Sequence, residues 1–206
     1  LRNAPMRRRI SELKQKLNAI QNRRQVARRQ RNWPQVSLIG YTNVGKSTLL
    51  NALTAAEAYV DDRLFATLDT KSRLLYLAPG RSVMLTDTVG FIRNLPHGLV
   101  ASFRSTLEEA AQADLLLHVA DAGHPFVQEH CTVVFDTLRA IHADAVPTLM
   151  VFNKCDRPEA RLALPGLQTM FPDSIALSAI THAGFPELKA KTASLLAPVA
   201  PAPIPP

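Results

Sequence analysis

Residues 40–47 read G-Y-T-N-V-G-K-S, directly after the apolar run Val36-Ser37-Leu38-Ile39 and directly before the helical pattern Thr48-Leu49-Leu50-Asn51-Ala52-Leu53. This is the G-x-x-x-x-G-K-S phosphate loop in the context it requires, strand before and helix after. The spacing has a chemical reason. Successive backbone N–H groups from Gly40 through Tyr41, Thr42, Asn43, Val44 and Gly45 can wrap a diphosphate, and the two glycines let the backbone come close to it. The first turn of the helix, with Ser47 and Thr48, adds free N–H groups and the positive end of a dipole. Lys46 can reach β- and γ-phosphate oxygens, and Ser47 can ligate Mg2+.

Working outward, the next motif is Asp87-Thr88-Val89-Gly90 at the end of an apolar run. A carboxylate there can hold Mg2+ directly or through water, and the Gly90 N–H can meet a γ-phosphate. Asn153-Lys154-Cys155-Asp156 follows another apolar run and decides the base. The Asp156 carboxylate can accept from the N1–H and amino group of guanine, a donor pair that adenine lacks. Asn153 can tie loops together, the Lys154 stem can cover the ring, and Ser178-Ala179-Ile180 can offer a backbone N–H to guanine O6. By itself Asp87-x-x-Gly90 is weak. Four motifs in this order, each at a predicted strand end, agree with one another.

Charge is unevenly spread. Residues 1–33 hold 11 of the 24 Lys and Arg and one of the 17 acidic residues, giving +10. The remainder has 13 basic and 16 acidic residues, giving −3. A basic arm on a slightly acidic globule predicts a polyanionic partner such as nucleic acid. Within the arm, Ile10, Leu13, Leu17 and Ile20 follow the a/d spacing of a coiled coil, a seam that one helix cannot bury alone. No apolar run approaches the roughly 18 residues of a membrane span, and the start lacks the apolar core of a signal peptide. Cys131 and Cys155 belong to no metal or disulfide motif, so reduced thiols and a cytoplasmic location are expected. The chain starts at Leu1 rather than Met, which leads us to expect an upstream part.

In order, the expected elements are a basic helix within 1–33, a strand over 35–40, a helix over 46–54, a long loop over 55–71 and a hairpin of 72–78 with 82–86. Then come an irregular stretch over 91–98, a helix over 99–113, a strand over 115–120, a helix over 125–142 and a strand over 148–152. Residues 157–172 read as loop with at most a short helix, 174–177 as a last strand, and 186–196 as a last helix. The tail 198–206 is Pro/Ala-rich and is expected to be extended or disordered. The pattern predicts one α/β domain over 34–197, a P-loop NTPase of the Ras-like G-domain class. Its sheet is six-stranded and mostly parallel with one antiparallel edge strand, and helices cover both faces. Ligands of such sheets bind beyond the carboxyl ends of the strands, where every motif above falls.

These residues resemble the translation-factor-like GTPases, and more narrowly the HflX family of ribosome-associated GTPases. The specific match is G-Y-T-N-V-G-K-S, then Leu64-Phe65-Ala66-Thr67-Leu68-Asp69, Asp87 to Arg93, Leu95-Pro96-His97 and Asn153 to Asp156. The resemblance covers roughly 34–197, and the basic helix resembles the segment preceding the G domain in that family. It implies a monomeric Mg2+-dependent GTPase that binds GTP and GDP, with Phe65, Ala66, Thr67, Leu68 and Asp69 along the nucleotide. Thr67 would be the threonine that joins Ser47 and Asp87 around Mg2+; the residues alone leave Thr70 open too. Lys46, Thr67 and Gly90 are the groups implied at the reacting phosphate. Asn43 is implied as a ligand for K+, against the plainer role of stabilising its turn. The implied partner is the large ribosomal subunit and the implied task is ribosome splitting or remodelling. The same site would also suit an RNA- or ribosome-assembly GTPase, or a GTP sensor that hardly hydrolyses. Phe91 bears on that last choice. It stands where Ras-like enzymes carry the glutamine that orients water, and a phenyl ring has neither donor nor acceptor.

Overall fold

The computed structural model describes residues 33–54, 71–88, 90 and 111–196. The basic arm over 1–32, the loop over 55–70, Val89, residues 91–110 and the tail from 197 lie outside the described residues, and with them the readings placed there.

The chain runs β1 (Gln35–Ile39), α1 (Lys46–Thr54), β2 (Lys71–Ala78), β3 (Arg81–Asp87) and β4 (Leu115–Asp121). It continues with α2 (Val127–Ala140), β5 (Thr148–Asn153), α3 (Pro158–Met170), β6 (Ile175–Ala176) and α4 (Phe185–Leu195). The strands form one sheet in the order β2-β3-β1-β4-β5-β6. All neighbouring pairs are parallel except β2 with β3, so the expected six-stranded sheet with one antiparallel edge is what forms. Parallel pairing aligns the carboxyl ends: Leu38 lies opposite Asp87 and Asp121 opposite Asn153.

β4, at the centre, is buried along its whole length, as a strand covered on both faces must be. Its alternate residues feed different cores. Leu115, Leu117 and Val119 join Val36 and Leu38 of β1 beneath Leu49, Leu50 and Leu53 of α1. Leu116 and Ala120 point the other way, toward Val134 and Leu138 of α2 and toward Phe152 and Leu167 respectively. Each fully buried leucine contributes about 1.5–3 kcal/mol. Hence the two leucine faces fix the register, because a one-residue slip would send each to the wrong layer.

Three readings need correction. Residues 157–172 are not loop, since α3 is a helix of 13 residues. Pro158 starts it and Pro165 stands inside it, followed by Gly166. Pro165 removes the N–H that would bond the Arg161 carbonyl, a local cost of about 3 kcal/mol. Burial of Ala160 and Leu167 against Phe152, with Leu164 and Phe171 packed beside them, outweighs it. The helix expected over 99–113 does not extend through 111–113, where the chain turns so that Asp114 can accept the Gln35 N–H at 2.8 Å. The last strand is only two residues long, an edge segment too short to show period-two alternation. Elsewhere the boundaries move by one or two residues, and the hairpin closes on Pro79-Gly80 with Gly80 at φ +71°.

Candidate functional site

At the carboxyl edge of the sheet, the loop after β1 is held by close backbone contacts. Gly40 adopts φ +150°, and a Cβ there would lie 2.1 Å from the Val119 carbonyl oxygen of β4. Gly45 adopts φ +93°, and a Cβ there would lie 2.6 Å from Asn153 Nδ2. Both positions therefore exclude any side chain, for reasons of contact as well as φ. Tyr41, Thr42, Asn43 and Val44 make the turn between them, with Asn43 left-handed at φ +59°.

Lys46 opens α1 and is buried. Its Nζ donates to the Gly40 carbonyl at 3.2 Å and the Tyr41 carbonyl at 2.9 Å, which aims the ammonium into the loop's own concavity. Burial pulls its pKa down to about 8, opposed by the attraction of Asp87. Ser47 Oγ donates to Asp87 Oδ2 at 2.5 Å, and Asp87 is wholly inaccessible. Thr88 is buried too, donating to the Leu38 carbonyl at 2.6 Å. Gly90 comes so near the phosphate loop that an added Cβ would meet Lys46 Nζ and Thr42 Cα at 3.0 Å. Ser47, Asp87 and Gly90, far apart in sequence, thus converge around Lys46. Thr48 follows Ser47 in the first turn of α1.

The donor set is compatible with Mg2+. A hydroxyl and one buried carboxylate are hard oxygens, and Mg2+ is held by one or two carboxylates together with substrate phosphates. Among the described residues no group of three or more His, Cys, Asp or Glu could cage a metal by itself.

The base end is assembled from side chains. Asn153 Nδ2 donates to the Val44 carbonyl at 2.9 Å. Its Oδ1 accepts the Lys154 N–H at 2.8 Å and the Ala179 N–H at 3.0 Å. One buried amide therefore joins the phosphate loop, the loop after β5 and the loop after β6. Lys154, left-handed at φ +63°, sends its Nζ to the Asn43 carbonyl at 2.8 Å. Asp156 Oδ1 accepts from the Ser178 hydroxyl at 2.6 Å, and that bond holds its carboxyl below the usual range. Asp156 accordingly stays an acceptor at any physiological pH. The N–H groups of 178–180 have internal partners: Ser178 the Ala183 carbonyl, Ala179 the Asn153 amide, and Ile180 the Ser178 hydroxyl at 3.3 Å. A base oxygen would share or displace one of these, and Ile180, exposed and held by the longest bond, gives way most easily.

Phe65, Ala66, Thr67, Leu68, Asp69, Thr70, Val89 and Phe91 lie outside the described residues. His118, Asp121, His124 and His130, which sequence reasoning missed, lie beside the site. Tyr41 stacks on His130 of α2, centroids 3.8 Å apart and planes within 4°, and His124 lies 4.3 Å from the same ring. Asp121, ending β4, pairs with Lys154 at 2.7 Å. His118 of β4 is buried with no hydrogen-bond partner for Nδ1, and burial, aided by Lys46, drives its pKa down to about 3. It is a neutral ring packed edge-on against Phe135 at 5.0 Å. Only Asp121 carried a sequence signal, a charged residue closing an apolar strand; the histidines looked like any strand, loop or helix residue.

The family described as 50S ribosome-binding GTPase matches residues 35–154. The GTPase HflX of Chlamydia pneumoniae is 47% identical over 187 residues, 89% of this chain and 39% of that one. The GTPase HflX of Escherichia coli is 45% identical over 187 residues, 89% of this chain and 44% of that one. The chain thus spans about two fifths of the length of these curated relatives. Among solved structures, a GTP-binding protein from the archaeon Sulfolobus solfataricus in complex with GDP aligns with a TM-score of 0.63 at 28% identity, covering 92% of this chain and 57% of that one. Era bound to a segment of 16S ribosomal RNA aligns with a TM-score of 0.66 at 22% identity, covering 83% of this chain and 59% of that one, a likeness of fold.

Proposed function

The chain belongs to the 50S ribosome-binding GTPase family, as an HflX-type member, and from that premise we propose that it binds Mg2+-GTP, hydrolyses it to GDP and phosphate, and acts as a switch on the large ribosomal subunit in the cytoplasm. The observation that carries this reading is the Asn153 amide, which locks a guanine-reading loop to a phosphate loop. Asp156, held as an acceptor in the same loop, suits the donor edge of guanine, which adenine lacks. The archaeal relative in complex with GDP supports the same occupant.

Each residue has a task. Gly40 to Gly45 cradle the diphosphate, Lys46 spans the β- and γ-phosphates, and Asp156 reads the base edge. Ser47 and Asp87 would hold Mg2+, with Thr67 of the family pattern joining them. The ion, when bound, neutralises charge on the phosphate oxygens. Asn43 would offer its side-chain oxygen to K+, since its backbone carbonyl is engaged by Lys154. The N–H of Gly90, beside Lys46, is where the γ-phosphate would be sensed. Loss of that contact on hydrolysis would relax the flanking segment.

Intrinsic turnover is slow, because Phe91 cannot orient water and even Ras with its glutamine manages only on the order of 10⁻⁴ per second unaided. Ribosome splitting or remodelling then requires that the subunit completes the site. The test is multiple-turnover GTP hydrolysis in K+ and in Na+, with and without large subunits. Stimulation of about 1,000-fold or more by the subunit is expected, within the range that a completed site gives. No stimulation in any condition would leave a GTP-sensing module instead.

A further inference from the structure

We infer that Asp121 is a positioning residue: it clasps Lys154 and, through it, restrains the phosphate loop at Asn43. Nothing in the family motifs assigns this carboxylate a role. It closes β4, opposite Asn153 of β5, and its side chain is nine-tenths buried. Oδ2 lies 2.7 Å from Lys154 Nζ, and Oδ1 accepts the Gly123 N–H at 3.1 Å. Arg157 approaches the same oxygen only to 3.8 Å and is half exposed, so Lys154 is the principal partner.

Lys154 Nζ thus has two anchors, the Asp121 carboxylate and the Asn43 carbonyl. Lys154 itself and the Asn43 that it bonds both hold left-handed backbone, at φ +63° and +59°. Asparagine tolerates that region and lysine resists it, so the conformation depends on the bonds that hold it. A partly buried ammonium stripped of its carboxylate is left uncompensated and turns to water. The lysine stem would then leave the base plane and the Asn43 carbonyl would lose its donor. Asp121 therefore couples the two ends of the site through Lys154. Its effect on ligand retention rests on the guanine-nucleotide reading above; its effect on the loop does not.

Asp121→Asn isolates the claim. The amide oxygen can still accept from Gly123, so the turn survives, while an NH2 group faces the ammonium. The experiment is a double-mutant cycle on the 206-residue chain, with Asp121→Asn and Lys154→Met alone and together. Hydrogen exchange of residues 40–47 is followed in nucleotide-free protein, and dissociation of a fluorescent GDP analogue in loaded protein. Each single substitution is expected to speed both processes about tenfold, the effect of losing a charged hydrogen bond. The double variant should go no further than the faster single one, at unchanged melting temperature. Additive effects, or loop exchange unmoved by Asp121→Asn, overturn the inference. Should the parent chain retain no GDP, the nucleotide reading fails, and loop exchange still decides the clasp.

Discussion

At the phosphate end, Gly40 and Gly45 stand where an added Cβ would lie 2.1 Å and 2.6 Å from other atoms, and Lys46 and Asp87 are buried charges. At the base end, Asp156 is partly exposed and side chains carry the hydrogen bonds, the Ser178 hydroxyl donating to Asp156 and the Ala179 backbone N–H to Asn153 Oδ1. The difference teaches how each end tolerates change. Backbone wrapped around a phosphate fails when anything is added. A side-chain network that reads a base can be rewritten one atom at a time.

The largest effect should come from breaking the phosphate end. Gly40→Ala drives a methyl into the Val119 carbonyl and is expected to cost at least about 3 kcal/mol in denaturant unfolding. Gly80→Ala is the control, because Gly80 has φ +71° but open surroundings; it should cost about 1–2 kcal/mol. Equal costs would mean that φ alone, and not the close approach, makes Gly40 necessary.

Rewriting the base end should leave stability nearly untouched. Asp156→Asn should lower GTP affinity by about tenfold to a hundredfold and raise affinity for xanthosine triphosphate, whose base carries a carbonyl in place of the amino group. Titration of both nucleotides by calorimetry checks it, and unchanged GTP affinity would count against base reading by Asp156.

The smallest effect is the response to pH, which separates the ends without mutation. Lys46 loses its proton as pH rises through about 8, and phosphates bind the charged form. Nucleotide affinity should be level below pH 8 and fall above it, by no more than about tenfold per pH unit. Asp156, held below the usual carboxylate range, stays ionised throughout. A flat affinity from pH 7 to 9 would contradict the burial effect on Lys46.

The fold was largely legible because its signals are local and redundant. The run Leu115-Leu116-Leu117 announced a doubly covered strand, and G-Y-T-N-V-G-K-S set a strand and a helix on either side of itself. α3 was illegible because its signals conflict: Pro165 and Gly166 speak against a helix, and only burial of its Ala160 and Leu167 against Phe152 of β5 reverses them. The candidate site was legible wherever a motif states its chemistry in consecutive residues. Asp121 was not, because a single carboxylate at a strand end acquires meaning only when Lys154, 33 positions onward in the sequence, comes within 2.7 Å. The Tyr41–His130 stack was hidden for the same reason.

By itself, then, the sequence determined the class of fold, the order of the motifs and the kind of ligand. Phosphate loops and guanine-reading loops need particular residues at adjacent positions, and adjacency survives in one dimension. Only the tertiary structure decided that Lys46 is buried enough to lose a proton near pH 8, and that Lys154 is held from both sides. Those properties depend on distance and burial between segments remote in the chain, and packing sets both.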